Sequence, residues 1–333
     1  MSARNVLSRA VAGMQHAWMG RPEQVLYFGC GLGDDVLCTS LAHELKKRGA
    51  KRIVVFSRFP GLFENSPDVA AVYPYGYPTL GRFRQWGYPQ TIPRYGYYDP
   101  ATDRDVTAPA HFIETMCRYV RLTGPIDLRT YLYLRPEEKQ KGRLFPAQGV
   151  IHSAGLAAMR NKQWAPERYQ AVADDLRDEL RWVQLGMPED PPIAGALDLR
   201  GKTTPRESAA IVANSKVLLG EAGFLMHLAR AVDTRAVIVY GGREDAKISG
   251  YGANENIIGR TVCSPCWQRT RCDFEHECMR MIEPAEVASA VRRQLAREGT
   301  PLEVEQVDLG SGGEGPVERF IANLGNPHDG SMV

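Results

Sequence analysis

The chain has 333 residues, 44% of them hydrophobic and 24% charged, with a formal net charge of +2. That length fits two domains of ordinary size, and the composition is that of a soluble globular protein with a sizeable core. The near-balanced charge gives no electrostatic case for nucleic acid, and no apolar run approaches the roughly 18 residues needed to cross a bilayer.

Residues 2–20 place Val6, Leu7, Ala10, Val11, Met14 and Trp18 at helical spacing, interrupted by Arg4, Asn5, Arg9, Gln15 and His16. This predicts an amphipathic helix docking on the body, with contact at a membrane surface as the alternative, and not a signal peptide. The expected compartment is therefore cytoplasmic and reducing, with the inner face of the cell membrane as the peripheral alternative.

Residues 25–28 predict a strand, followed by a loop with Gly29, Gly31, Gly33, Asp34 and Asp35, a helix over about 36–48 and a strand over 53–56. Such a unit is parallel and right-handed. The glycine spacing is wrong for a dinucleotide fingerprint, and no acid ends the second strand to take a ribose. What the loop offers is Asp34, a carboxylate at the carboxyl end of a central strand. It can act as a general base there if a substrate hydroxyl comes within reach, or cap the following helix.

Residues 73–103 carry Tyr73, Tyr75, Tyr77, Phe83, Trp86, Tyr88, Tyr95, Tyr97 and Tyr98, and Arg82, Arg84, Arg94 and Arg104 lie in or beside them. A long loop this aromatic suits sugar rings and acidic acceptor groups, or packs on itself. Thr107 to Pro109 then caps a helix striped by Phe112, Ile113, Met116 and Val120. Residues 135–148 have little to bury and read as the end of a first domain and a linker.

The second half alternates strands and helices, a second parallel-sheet domain. Strands are expected at 149–152, 182–185, 217–219 and 236–240, and helices at 166–181, 205–213, 224–232 and 284–297. Thr204 and Glu207, with Pro205 between them, form a capping box. The run from Val217 ends at Gly220 and leads through Glu221, Ala222 and Gly223 into a buried helix starting at Phe224. The start of that helix suits a phosphate, and Glu221 and His227 flank it. The plainer alternative makes Glu221 a cap and His227 a core residue. Residues 300–333 are expected to be mobile apart from one short docking helix over 317–324.

Cys263, Cys266, Cys272 and Cys278 lie within sixteen residues, with His276 among them. In a reducing compartment four thiolates so spaced suit a closed structural site for zinc or iron, with no open position for catalysis. Reduced or disulfide-paired cysteines are the alternative.

Four landmarks in this order resemble glycosyltransferase family 9, the heptosyltransferases. Gly33-Asp34 is similar to the family's Gly-Asp, whose acid is taken as the catalytic base. Asn161 to Pro166 is similar to its Lys-x-Trp-Pro motif, whose lysine (here Lys162) meets the donor diphosphate. Asp198 to Thr203 is similar to Asp-Leu-x-Gly-Lys-Thr, and Glu221 to Ala229 to the segment that holds the donor sugar and phosphates. This chain departs in having Glu221-Ala222 for the family's acid–hydroxyl pair, one extra residue between Gly223 and His227, and Ala165 before the proline.

The resemblance implies an α/β protein of GT-B fold, two facing Rossmann-like domains with parallel sheets. An acceptor-side domain would span 1–145, a nucleotide-sugar domain with the cysteine finger 146–299, and a tail 300–333. It implies an inverting transferase moving a sugar, heptose by analogy, from an ADP-sugar to an acceptor hydroxyl. Asp34 would be catalytic, and Gly33, Lys162, Glu221, Ala222, Gly223, Phe224 and His227 would bind the donor. The acceptor would be a glycan, a protein or a small molecule. The finger resembles the iron-bound finger of the autotransporter-glycosylating branch and could serve a homo-oligomer contact. Another nucleotide-sugar enzyme of the same fold, an epimerase included, and a non-catalytic scaffold are the competing readings.

Overall fold

The computed structural model describes residues 22–27, 31–75, 90–153, 157–311 and 315–324. The expected helix over 2–20, the glycines of the first loop before Gly31, Tyr77 to Tyr88 of the aromatic stretch and the last nine residues lie outside that set.

Two parallel sheets carry the chain. The first is built from β1 (Gln24–Tyr27), β2 (Ile53–Ser57), β3 (Ala71–Pro74) and β4 (Gln90–Thr91), ordered β3, β2, β1, β4. Helix α1 (Leu32–Lys47) links β1 to β2. It begins four residues earlier than the sequence suggested, so Asp34 and Asp35 lie in its first turn and not in a loop. The hydrophobic run of β2 is buried on both faces, as a parallel sheet covered by helices requires.

The aromatic stretch is not one long loop. Its end folds into an antiparallel hairpin of β5 (Gly96–Asp99) and β6 (Arg104–Thr107). Helix α2 (Phe112–Tyr119) follows, capped by His111, whose Nδ1 accepts from the Ile113 N–H at 3.2 Å, and not by the residues expected upstream. After β7 (Pro125–Asp127), the supposed linker contains a helix, α3 (Pro136–Lys141). Arg206 pins it, giving Nε and Nη2 to the Glu138 carboxylate at 2.7 Å each and Nη1 to the Gly61 carbonyl at 2.9 Å.

The second sheet has six parallel strands: β8 (Gln148–Ile151), β9 (Arg181–Gln184), β10 (Leu197–Asp198), β11 (Val217–Glu221), β12 (Ala236–Val239) and β13 (Glu255–Ile257). Their order is β10, β9, β8, β11, β12, β13. Helix α4 (Pro166–Asp175) is shorter than expected, whereas α5 (Pro205–Ala213) has the expected limits. At its start Thr204 Oγ1 accepts from the Glu207 N–H at 3.2 Å, and Glu207 Oε2 accepts from the Thr204 N–H at 2.8 Å. Helix α6 (Phe224–Ala231) follows β11, and α7 (Pro284–Ala296) covers β11, β12 and β13.

The end of the chain returns to the first half. Strand β14 (Gln306–Asp308) pairs antiparallel with β7, and α8 (Pro316–Asn323) packs on α2 with a 2.8 Å ion pair from Arg118 to Glu318. The short helix was expected; a paired strand in the supposedly mobile tail was not. One apolar cluster includes Leu26, Leu37 and Leu41 of the first half with Leu218, Met226 and Leu228 of the second, and α1 packs against α6.

Candidate active site

In an open parallel sheet the crevice opens where neighbouring connections run to opposite sides. In the six-stranded sheet that point lies between β8 and β11. His152 follows the end of β8, and Glu221 is the last residue of β11, paired in register with Val239. The sequence placed Glu221 in a turn after a strand over 217–219; sheet pairing carries the strand two residues further, to Glu221.

Glu221 is 6% exposed, and its Oε2 has no hydrogen-bond partner among the described residues. Burial pushes its carboxyl up to about 7, against the pull of His152 and Lys162. His152 Nε2 lies 3.5 Å from Asp190 Oδ2.

Ala222 is buried, and its carbonyl accepts from Lys162 Nζ at 3.2 Å. Lys162 ends a short 3-10 helix, Ala157–Lys162. Its ammonium pairs with Glu244 Oε1 at 2.5 Å. Burial alone would raise the Glu244 carboxyl, but Lys162 and Arg243 hold it down at about 2, so it is ionised. Gly223 is the N-cap of α6, and among the described residues, its two chain neighbours apart, no atom lies within 4 Å of an added Cβ. A helix start of this kind carries unpaired N–H groups and the positive end of the helix dipole.

His227 does not stand free beside this turn. It is buried on the next turn of α6, with its Nδ1 2.7 Å from Tyr251 Oη. Burial lowers it to about 3, so it is neutral at ordinary pH and presents a hydrogen-bonding ring, not a charge.

The first half meets this turn through α1. An added Cβ on Gly33 would touch the Phe224 backbone at 3.5 Å and the His227 ring at 3.7 Å. Asp34 is next in sequence. Its Oδ2 accepts from the Gly31 N–H at 2.7 Å, and its Oδ1 accepts from Tyr95 Oη. Asp35 turns away: it is fully buried, bonded by Ser57 Oγ, and raised by burial to about 6. The neighbouring acids thus differ in place, Asp34 bonded by Gly31 and Tyr95 and Asp35 turned into the core.

The four clustered cysteines line one cavity with Asn161, Arg243, Thr261 and His276. Burial, and secondarily the charges of the other cysteines, raise the Cys266 thiol, and the same two causes act on Cys278. Among the described residues, however, no three His, Cys, Asp or Glu side chains are arranged to hold a metal ion. His276, a candidate fifth donor, instead places Nε2 2.9 Å from Asn161 Oδ1. The four thiols share that one cavity.

The structure brings together Gly33, Lys162, Glu221, Ala222, Gly223, Phe224 and His227, with Asp34 beside them. Sequence reasoning missed Glu244, Arg243 and Asp190. A weak signal existed for Glu244: an acid shortly after the carboxyl end of a central strand, behind Gly241-Gly242.

Residues 135–276 match the family model for glycosyltransferase family 9 (heptosyltransferase). No curated protein sequence matches the chain. Among solved structures, a family 9 glycosyltransferase from Veillonella parvula is 14% identical with a TM-score of 0.62, over 84% of this chain and 99% of that one. The ADP-heptose lipopolysaccharide heptosyltransferase II of E. coli is 16% identical with a TM-score of 0.61, over 83% and 99%. The iron-containing dodecameric glycosyltransferase TibC of enterotoxigenic E. coli is 17% identical with a TM-score of 0.62, over 84% and 77%, and has also been solved with ADP-D-β-D-heptose. Among the described residues no helix is long and apolar enough to cross a membrane. Residues 135–276 carry the similarity to the family 9 model, and the chain shares the GT-B-like fold of these glycosyltransferases.

Proposed function

We propose that the chain transfers a sugar, a heptose by analogy with its structural neighbours, from an ADP-sugar to an acceptor hydroxyl with inversion. The observation that carries this reading is the junction of the two helix starts. Gly33 lies against Phe224, so Asp34 of one half stands beside the turn where Lys162 of the other meets the Ala222 carbonyl.

The donor's diphosphate would lie over the open start of α6, near Lys162. The acceptor oxygen attacks the anomeric carbon as the bond to the leaving phosphate oxygen breaks, and Asp34 takes the hydroxyl proton. Asp34 already accepts two hydrogen bonds, but an ionised carboxylate has about four lone-pair sites, so room for the acceptor remains. Lys162 and the α6 dipole stabilise the charge gathering on the nucleoside diphosphate. Glu221, buried and half-protonated near neutrality, would face a sugar hydroxyl with its unpartnered oxygen, and His227 would line the same turn as a neutral group. We assign residues 1–145 to acceptor binding and 146–299 to donor binding, and place the protein in the cytoplasm.

We also propose a structural zinc or iron ion at Cys263, Cys266, Cys272 and Cys278. Its support is the cavity they share, and soft thiolate donors suit either metal. The ion's role there would be to staple the loop.

Transfer from ADP-heptose should be lost in Asp34→Ala while ADP binding survives, and ADP binding should weaken in Lys162→Ala. A wild type that neither binds nor turns over a nucleotide sugar would sink the enzymatic reading, and an Asp34→Ala variant with full rate would remove Asp34 as base. Metal is read by elemental analysis of purified protein beside a variant with all four cysteines changed to serine; a metal-free wild type overturns the staple.

A further inference from the structure

A run of buried charge reaches Lys162 from the opposite half of the chain. Lys162 Nζ and the Arg243 guanidinium both bind the same oxygen, Oε1 of Glu244. Ser249 Oγ donates to the other oxygen at 3.0 Å. Arg243 is 1% exposed; beyond Glu244 it binds Asp105 Oδ2, and its Nε donates to the Gln268 carbonyl at 3.0 Å. Asp105 sits on β6, and its other oxygen takes Arg269 Nε and Nη2 at 2.9 and 2.6 Å.

The hairpin carrying Asp105 is fixed in place. Its Asp105 N–H donates to the Trp267 carbonyl at 2.9 Å, and Asp103 Oδ2 accepts from the Thr270 and Arg271 N–H groups at 2.8 Å each. Asp105 is thus held at a set distance from Arg243.

Two cations sharing one buried carboxylate oxygen divide its attraction between them. With Asp105 ionised, Arg243 has a second carboxylate of its own, and Glu244 stays available to Lys162. Without that charge, Arg243 is a buried cation with Glu244 as its one carboxylate partner among the described residues, and breaking a buried charge pair is costly. Glu244 is then drawn toward Arg243, and Lys162 loses its hold beside the Ala222 carbonyl.

We propose that Asp105 is a positioning residue for nucleotide-sugar binding, which sets Lys162 at the start of α6 through Arg243 and Glu244. The proposal rests on the reading of Lys162 as the ligand of the diphosphate. As the diphosphate arrives, Lys162 passes from Glu244 to the phosphate oxygens, and Arg243 keeps the Glu244 charge paired.

The test is a double-mutant cycle read by calorimetric titration of ADP, GDP and UDP into the full chain, using whichever binds most tightly. Asp105→Asn should weaken that nucleotide roughly tenfold, as coupling in a shared charge network does. It should raise the donor KM more than it lowers kcat, and Asp105→Glu should recover part of the loss. In a Lys162→Ala background the same substitution should change affinity less than about twofold, since the lysine through which it acts is gone. Equal weakening in both backgrounds, or a wild-type affinity in Asp105→Asn, overturns the proposal. If Asp105→Asn does not fold, Arg243→Lys takes its place, keeping the charge but losing the planar fork, with the same expectations. A Lys162→Ala variant that binds like wild type, or a wild type that binds none of the three, defeats the donor-site reading and this inference with it. Lysine-dependent affinity indifferent to Asp105 defeats the inference alone.

Discussion

Gly33 and Phe224 meet across the two halves of the molecule: a Cβ on Gly33 would stand 3.5 Å from both the amide nitrogen and the Cα of Phe224. That distance is an ordinary van der Waals contact, so a methyl group fits but nothing larger does without displacing α6. Gly33 is also inside α1, where alanine is favoured over glycine by about 0.5–1 kcal/mol. Gly33→Ala should therefore melt at or slightly above the wild-type temperature. Gly33→Leu should melt several degrees lower, since overpacking typically costs about 1–3 kcal/mol. Paired thermal melts check this, and equal melting of the two variants would contradict the contact.

Glu221 gives stability a pH dependence of definite sign. Its carboxyl titrates at 4.5 when free and at about 7 when buried, so between those values the folded state holds more protons. The contribution is fullest below about pH 4.5 and is lost as pH rises to about 7. Glu221→Gln removes the group, so its stability relative to wild type should climb over that window and level off above it, by about 3 kcal/mol. Urea unfolding of both proteins from pH 5 to 8 measures the difference; a constant gap across the range would show that the carboxyl is not held protonated.

Tyr251 and His227 form a buried pair with 2.7 Å between hydroxyl and Nδ1. Tyr251→Phe keeps the ring and removes the hydroxyl, leaving a polar imidazole atom unpaired, at a cost of about 1–3 kcal/mol. The imidazole already titrates at about 3 because of burial, so it should stay neutral and the loss should not vary from pH 6 to 8. Denaturant titration at both ends of that range tests the magnitude and the flatness together.

Thr204 offers a control remote from the site. Removing its hydroxyl in Thr204→Ala takes away the acceptor for the Glu207 N–H, and such caps are worth about 0.5–2 kcal/mol. Nucleotide affinity should be unchanged while stability falls by about that amount.

Much of the fold was legible because local patterns agree with it. The apolar runs at β1, β2, β8, β11 and β12 and the Thr204–Glu207 cap are contiguous signals, and the structure has strands and a helix where they predicted them. The hairpin 96–107 was hidden because β5 and β6 are half exposed and lack a buried alternating face. Asp34, Lys162 and Gly223 stand in short contiguous motifs, which is what made them candidates in the sequence. Glu244 and Asp105 were not, since their meaning lies in partners 82 and 138 residues away, Glu244 with Lys162 and Asp105 with Arg243. The four cysteines were legible as a cluster because they are close in sequence, and they line one cavity.

The pairing of β14 with β7 has a mechanical consequence. Because β14 and α8 lie on the first half, the polypeptide crosses between the sheets twice, once before β8 and again after α7. Two covalent crossings restrain the relative movement of the halves more than a single linker would. The contact of Gly33 with Phe224 lies between the two halves that these crossings join.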